Sequence, residues 1–481
     1  MNRTDNRRPG WTTPAQRWVL GLTAVATLMV MLDMLVVTTA LTTIRVDLGA
    51  SIEELEWTIN AYVLTFAVLL LTATALGDRF GRRRLLAVGL IVFTIASAAC
   101  ALAPGIGWLI VARTVQGVGS AMVMPNALAL LGATFPAERR AKALGVFSSV
   151  TGLATLGGPV VGGAVVQGLA WQWIFWLNVP IGLLVVPLVL SRIEESVGGR
   201  ARFDIGGLLL VTGAALGLVW GLVRASDAGW GSAEVVGALA GGTLLGIGFV
   251  FWERRVREPM LPMRYFRSRA FSGGNAAGFL LYASTVGAAF FFPQFMQLML
   301  HYGPLSAGLH LAPWTVMLFV VAPIAGARIN RIGERPLIVC GLLLEALGYL
   351  WIALIATPGM AYLPLVPPLV LSGIGISMAM PAAQNAVIGA VPRSAIGTAA
   401  GTFSTLRQLG GAFGIAVPAI VFAGAGGYAS TRSFSAGFGP AVLVCAALTV
   451  GGAVAGLWTP GRRAHVGTGS APVPATAGQT Q

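Results

Sequence analysis

Apolar runs of about eighteen residues or more recur along this chain from Val19 to Trp458, and few folds can hold them. Each run is long enough to cross a lipid bilayer. In hydrocarbon every backbone N–H and C=O must be satisfied within the chain, which leaves helices or a closed barrel. A barrel would show short alternating segments, and the runs here are continuous. Of the 481 residues 56% are hydrophobic and only 10% are charged, too few charges to clothe a soluble protein of this length. The expected fold class is therefore an all-α polytopic membrane protein.

The runs place fourteen transmembrane helices, at 18–42, 57–77, 85–103, 107–131, 142–167, 173–191, 205–224, 234–252, 271–297, 305–327, 336–356, 362–389, 397–424 and 438–458. A formal charge of +14 raises the question of nucleic-acid binding, but its distribution answers it. With the N-terminus inside, all but five of the 31 basic residues fall in internal segments: Arg45, Arg224 and Arg432 are external, and Arg113 and Arg407 lie within helices. That asymmetry is the positive-inside pattern, so the charge serves topology and both termini are expected in the cytoplasm. The first helix follows a basic segment and is too long for a cleaved signal, so it is expected to be retained. Cys100, Cys340 and Cys445 lie apart in separate apolar helices and read as small core residues rather than metal ligands.

The segment "LGDRFGRRRLL" joins the second and third helices, and "GARINRIGERPL" echoes it between the tenth and eleventh. Aligned, Asn330 stands opposite Asp78, Arg331 opposite Arg79 and Gly333 opposite Gly81. The offset of eight helices is what two six-helix halves separated by two extra helices would give, and internal repeats of this kind place a transporter's site between the halves. The implied organisation is a cytoplasmic segment 1–17, a six-helix bundle 18–191, two inserted helices 205–252, a basic cytoplasmic loop 253–270, a second six-helix bundle 271–458 and a Gly-, Pro- and Ala-rich tail 459–481 expected to be disordered. The loop "ERRVREPMLPMRYFRSR" reads as an amphipathic segment on the inner leaflet, with arginines at lipid phosphates.

Within "TLMVMLDMLVVTTALTTI", Asp33 puts a carboxylate in the middle of a lipid-length run. Ionised, it costs several kcal/mol unless paired or hydrated, so intramembrane acids default to functional candidates. A carboxylate that protonates when dry and ionises when wet can carry a proton, or neutralise a cationic substrate, and competition between the two couples antiport. Asp33 is about 14 Å from the outer end of its helix and Arg113 about 9 Å from the outer end of the fourth, compatible depths for an ion pair. Glu345 is the second acid well inside an apolar helix, with Gly341 and Gly348 on its face, so that face is expected to pack on protein. It is a candidate second site for protons or a cationic substrate. His310, near the outer end of the tenth helix, titrates near neutral pH as a residue type, but a plain hydrogen-bonding role fits it better. Arg407 and Gln408 are placed to line the second-half cavity.

In the cytoplasmic turn, Asp78 is positioned either to bond the N-terminus of the third helix or to pair with Arg82, and Gly81 permits the tight turn between them. The run "GGPVVGG" has no reactive side chain. Gly158, Gly162 and Gly163 admit a close-packed helix and Pro159 removes a helix hydrogen bond, so the run reads as a packed bend that seals one side.

Taken together, these stretches resemble the major facilitator superfamily, and within it the fourteen-helix drug:proton antiporter branch of the EmrB/QacA type. The resemblance runs from about Leu32 to Gly414. "TALGDRFGR" is similar to the signature G-x-L-A-D-R-x-G-R, with Asp78, Arg79, Gly81 and Arg82 matching and Thr74 and Gly77 departing. "RTVQGVGSA" matches R-x-x-Q-G-x-G-x-A from Arg113 to Ala121, and "GGPVVGG" is close to G-P-x-x-G-G, with Ala154 where a longer form has glycine. "WQWIFWLNVPIG", "SAGLHLAPW" and "RQLGGAFGIA" are similar to further segments of the branch, Gln172 replacing an arginine. The first-helix motif L-D-x-T-x-V-N-x-A-L-P matches at Leu32, Asp33, Val37, Ala40 and Leu41 and departs at Leu35, Thr38 and Thr42.

The resemblance implies a proton-coupled efflux antiporter working by alternating access in a bacterial cytoplasmic (inner) membrane, without a cofactor and driven by the proton gradient. Asp33 and Arg113 are then the proton-coupling pair, Arg113 assisting proton release. Asp78, Arg79, Gly81, Arg82, Asn330 and Arg331 form a latch between conformations, and Gly158, Pro159, Gly162 and Gly163 form a gate. The implied partners are a hydrophobic or amphipathic small molecule, protons and membrane lipids, with a monomer sufficient for transport. The alternatives are an exporter of one metabolite or self-made antibiotic, or a symporter on the same fold. An ATP-driven pump would need a phosphate loop ending in Gly-Lys-Ser/Thr, and the one lysine, Lys142, precedes Ala143. A membrane enzyme would need clustered nucleophile, base or metal ligands, and the sequence shows no such set. Near-exclusive use of arginine over lysine suggests a GC-rich bacterium.

Overall fold

A computed structural model describes residues 12–197, 204–257, 259, 261–392 and 396–461. The start of the expected N-terminal segment and nearly all of the expected disordered tail lie outside the described residues, as do the side chains of Pro159 and Asn330. Sixteen α-helices follow one another among the described residues: α1 (Pro14–Leu48), α2 (Ile52–Phe80), α3 (Arg82–Ala101), α4 (Ile106–Thr134), α5 (Ala137–Gly168), α6 (Trp173–Trp176), α7 (Asn178–Arg192), α8 (Ile205–Ala228), α9 (Ala233–Arg255), α10 (Arg269–Leu298), α11 (Pro304–His310), α12 (Ala312–Ile332), α13 (Glu334–Ile355), α14 (Val366–Ile388), α15 (Ile396–Ala425) and α16 (Thr431–Leu457).

Twelve helical spans among the described residues are long and apolar enough to cross a membrane, or thirteen if the two arms of α2, bent by 52° between Leu70 and Thr72, count as one. The chain is a multi-pass, all-helical membrane protein. Two expected helices are each built from a short and a long piece. The sixth breaks into α6 and α7 beside Pro180, which has no N–H for the carbonyl one turn back, and the tenth breaks at Leu311 beside Pro313 for the same reason.

Helix ends follow local chemistry, and several fall beyond the apolar runs. Thr13 and Gln16 form a reciprocal capping box under Pro14, so α1 starts four residues before the expected helix, and Gly49 at φ 63° closes it. Ser51 and Glu54 cap α2 in the same way. The two echoing turns share a backbone device: Gly81 at φ 108° between α2 and α3, and Gly333 at φ 93° between α12 and α13. Expected loop 253–270 includes a 3-10 turn, Met263–Arg267, whose Phe266 ring meets Phe271 edge-on at 5.0 Å.

Helices α1 to α7 pack on one another, and so do α10 and α12 to α16. The pair α8–α9 packs on itself and lays α8 against α2 and α15, the two helices through which the groups meet most extensively. Gly341 and Gly348 pack on protein as expected: an added Cβ would lie 2.7 Å from the carbonyl of Gly375 and 2.7 Å from that of Pro368. Cys100 and Cys445 are buried, but Cys340 is exposed, because it lies off the face of α13 that carries Gly341 and Glu345.

Candidate functional site: a buried ion pair in the first helix group

Asp33 and Arg113 meet. Arg113 Nη1 donates to Asp33 Oδ2 at 2.5 Å, and the two residues are 0% and 2% exposed. A buried pair is tolerable only when its remaining valences are filled, and here they largely are. Asp33 Oδ1 accepts from Gln116 Nε2 at 2.9 Å and from Asn178 Nδ2 at 2.8 Å. Arg113 donates through Nε to the Thr58 carbonyl at 3.0 Å and through Nη1 to Gln116 Oε1 at 2.7 Å. Its guanidinium lies over the Tyr62 ring, 4.2 Å from the centroid, which supplies cation–π attraction. Ser97 Oγ receives both amides, from Asn178 at 2.9 Å and Gln116 at 3.1 Å, and passes a hydrogen bond to the Phe175 carbonyl. One atom, Arg113 Nη2, is buried without a partner.

Six helices supply this network: α1, α2, α3, α4 and α7, with α6 giving the terminal Phe175 carbonyl. It is thus enclosed within the first helix group, away from the contacts between the two groups. Its neighbour Met34 faces the other way, taking the Tyr282 hydroxyl of α10 at 3.9 Å. Gln116 lies one turn from Arg113 in a motif already quoted, and Asn178 lies in another. The sequence marks neither, because a neutral amide in an apolar run carries no charge signal.

Glu345 is 0% exposed and sits in the second helix group, remote from that network in the contacts it makes. Its Oε1 accepts from Thr285 Oγ1 and the Tyr349 hydroxyl, each at 3.1 Å, and its Oε2 has no partner. No ion pair to Glu345 occurs among the described residues. Arg407 lies over the Tyr282 ring at 4.8 Å with Nε unpartnered, and both amide atoms of the fully buried Gln408 lack partners. Through Tyr282 and Met34 this cluster reaches α1, so it lies where the two groups face each other. His310 joins neither acid. Its ring stacks on Tyr302 at 4.2 Å, and Nδ1 lies 2.6 Å from the Ser306 carbonyl.

The remaining candidates divide between the two ends of the molecule. Arg82 pairs with Asp78 at 2.7 Å, one of the two roles open to Asp78. The N-terminus of α3 is taken instead by Glu195, beyond α7, whose carboxylate accepts the Arg83 and Arg84 amides at 2.9 and 3.3 Å. Glu195 was not foreseen, because it lies more than a hundred residues away in sequence. Its replacement by Ala removes a charged cap and is expected to lower stability by about 1 kcal/mol, read as a lower midpoint in detergent melts. Arg79 lies over the Phe80 ring at 5.4 Å, Arg331 is exposed, and Asn385 reaches Glu334 at 3.0 Å in the echoing turn.

At the α1–α2 end the two groups touch. Thr42 donates to Gln297 Oε1 at 2.5 Å, Gln297 donates back to the Thr39 carbonyl at 3.1 Å, and Arg45 lies over the Tyr428 ring at 4.6 Å. In "GGPVVGG", Gly163 sits in this seam, and Gly158 and Gly162 pack on α1 beside it. An added Cβ would lie 2.6 Å from Leu35 Cβ at Gly158, 2.3 Å from Thr39 Oγ1 at Gly162 and 2.3 Å from the Pro304 carbonyl at Gly163. Helix α5 is thereby held between α1 of its own group and α11 of the other.

This fold and these segments have close relatives. A Major Facilitator Superfamily model matches residues 23–415 and, a second time, 275–476. The tetracenomycin C resistance and export protein of Streptomyces glaucescens is 37% identical over 404 residues, 83% of this chain and 74% of that one. The cephamycin export protein CmcT of Amycolatopsis lactamdurans is 36% identical over 434 residues, 88% of each chain. Among solved structures, a POT family transporter superposes with a TM-score of 0.69 at 15% identity, covering 91% of this chain and 94% of that one, a likeness of fold. The matched span, the helical architecture and the aligned relatives agree, and the chain belongs to the major facilitator superfamily.

Proposed function

We propose that this protein is a proton-coupled exporter of hydrophobic or amphipathic small molecules, of the multidrug or antibiotic-efflux kind, working by alternating access. The observation that carries the reading is the buried Asp33–Arg113 pair, which joins α1 to α4 and has further partners on α2, α4 and α7. Relatives named as export and resistance proteins support efflux. Helix α5, 32 residues and about 48 Å long, together with the bent α2 completes fourteen spans of the EmrB/QacA type. Both termini then lie in the cytoplasm of a bacterial inner membrane, and the α1–α2 end is external.

In this reading Arg113 holds the Asp33 carboxylate while it lacks a proton. Proton arrival at Asp33 releases Arg113, which retains Thr58, Gln116 and the Tyr62 face, so the network has two arrangements to offer two states of the transporter. Substrate binds between the groups near Arg407, Gln408 and Tyr282, and the external seam sealed by Gly158, Gly162 and Gly163 opens to release it. The turn at Asp78, Arg79, Gly81 and Arg82 latches the opposite end with its echo at Asn330 and Arg331. Lipids surround the bundle, no cofactor takes part, and one chain suffices.

Inside-out vesicles tested with a panel of drugs and natural products, an imposed pH gradient and no ATP decide the class. Uptake into the vesicle lumen while protons leave it supports export. Movement of substrate with the protons would make it a symporter, and a requirement for ATP would overturn the reading. Glu345→Gln keeps the Thr285 and Tyr349 contacts through its amide oxygen while removing the acid. It is expected to cut gradient-driven transport roughly tenfold, the effect of about 1.4 kcal/mol, with exchange at equal pH intact.

A further inference from the structure

The inserted pair α8–α9 carries an acidic couple that the transport reading leaves unused. Asp204 caps α8, its Oδ1 accepting from the Gly207 amide at 2.7 Å and from the Trp252 indole at 2.6 Å. Glu253, near the end of α9, is 3% exposed, and its Oε2 accepts the Leu261 amide at 3.0 Å. The other oxygen of each acid, Asp204 Oδ2 and Glu253 Oε1, is buried without a hydrogen-bond partner. The two oxygens share one small space. A Cβ on Gly207 would lie 2.5 Å from the first and 2.7 Å from the second, so they are no farther apart than those distances combined.

Charged groups on the neighbouring elements are Arg254 and Arg255 on α9, Arg257 after it, and Arg264 and Arg267 on the 3-10 turn that packs against α9. The two helices packed against α8 add Glu53, Glu54, Glu56, Asp78 and Arg79 of α2 and Arg407 of α15. None of them forms an ion pair with either acid. Two facing carboxylate oxygens with no donor and no cation among the described residues are satisfied together by one group, a hydrogen between them. We propose that Asp204 and Glu253 share a single proton, forming a separate proton-binding site at the α7–α8 end of the inserted pair that fastens the start of the loop into α10.

The consequence is local and signed. With the proton in place, the acids form an O–H···O bond and Glu253 stays buried, holding Leu261. When the proton leaves, two like charges face each other, Glu253 swings out to water and the Leu261 amide is freed. Neither acid shares a contact with Asp33 or Glu345, so the site regulates the loop without carrying the coupled proton.

Hydrogen–deuterium exchange by mass spectrometry on the full-length protein in lipid nanodiscs, following a peptide that contains Leu261 and begins at least two residues before it, tests this across pH after correction for intrinsic exchange. Wild type is expected to show protection that falls roughly tenfold as pH rises, the scale of losing one hydrogen bond to a charged acceptor. Asp204→Asn keeps the α8 cap, and Glu253→Gln keeps an acceptor for Leu261 while gaining a donor toward Asp204. Each is expected to hold protection constant across the same range and to retain gradient-driven export, whereas Glu253→Ala is expected to be unprotected at every pH. Protection independent of pH in wild type, or an unchanged pH dependence in both isosteric variants, would overturn the proposal. Loss of export in wild-type vesicles would instead count against the transport reading alone.

Discussion

Asp33→Asn is expected to abolish gradient-driven export while leaving a folded protein that still binds and exchanges substrate. Asparagine keeps a carbonyl for Gln116 or Asn178 but removes both the titratable group and the negative charge facing Arg113. A buried pair broken on one side shifts energies by about 3–5 kcal/mol, and about 1.4 kcal/mol is a factor of ten, so coupled transport should fall by roughly a hundredfold or more. Folding survives because Arg113 keeps three other attractions, the Thr58 carbonyl, Gln116 and the Tyr62 ring. Substrate exchange at equal pH on both sides separates the two outcomes. A variant that exchanges but does not concentrate substrate has lost coupling, whereas one that fails to exchange has lost its structure.

The second large effect is expected at Gly163. Its Cα approaches the other helix group so closely that a Cβ would meet the Pro304 carbonyl at 2.3 Å and Leu305 Cα at 2.6 Å, both backbone atoms. Backbone cannot swing aside as a side-chain tip does, so Gly163→Val prises α5 from α11 and works against closure at the α1–α2 end. Overpacking of this kind costs about 1–3 kcal/mol, which moves a two-state equilibrium by roughly one to two powers of ten. The expected result is export reduced by that order, together with faster labelling of a cysteine placed at Thr42, in the seam beside Gln297. Gly157→Val, one turn and more away, has open space around its Cα and serves as the control. Equal transport by Gly163→Val and wild type would remove the seam from the mechanism.

What could be read from sequence divides along physical lines. Membrane spans were legible because hydrocarbon demands long apolar helices, and helix ends were less so because caps such as Thr13 and Ser51 act outside the apolar run. Asp33 and Arg113 stood out because charge in an apolar helix is costly, and their similar depth suggested the pair that the structure forms. Their surroundings did not stand out. Gln116, Asn178, Ser97 and Tyr62 are ordinary residues in a membrane helix until five helices bring them to one point. Direction was also hidden. Periodicity gives the face on which Asp33 lies, but not whether that face meets α4 and α7 or the opposite helix group. The acids Glu195, Asp204 and Glu253 escaped notice because each lies at a helix end, where charge is expected, and only the fold reveals what it faces.

Reciprocal flux tests the central claim most directly. Purified protein in proteoliposomes, with membrane voltage clamped and a pH dye inside, is given an outward substrate gradient and no initial pH difference. Wild type is expected to drive protons inward as substrate leaves, and Asp33→Asn to pass substrate with no accompanying proton movement. Proton movement undiminished in Asp33→Asn, in step with its substrate flux, would contradict the assignment of coupling to the Asp33–Arg113 pair.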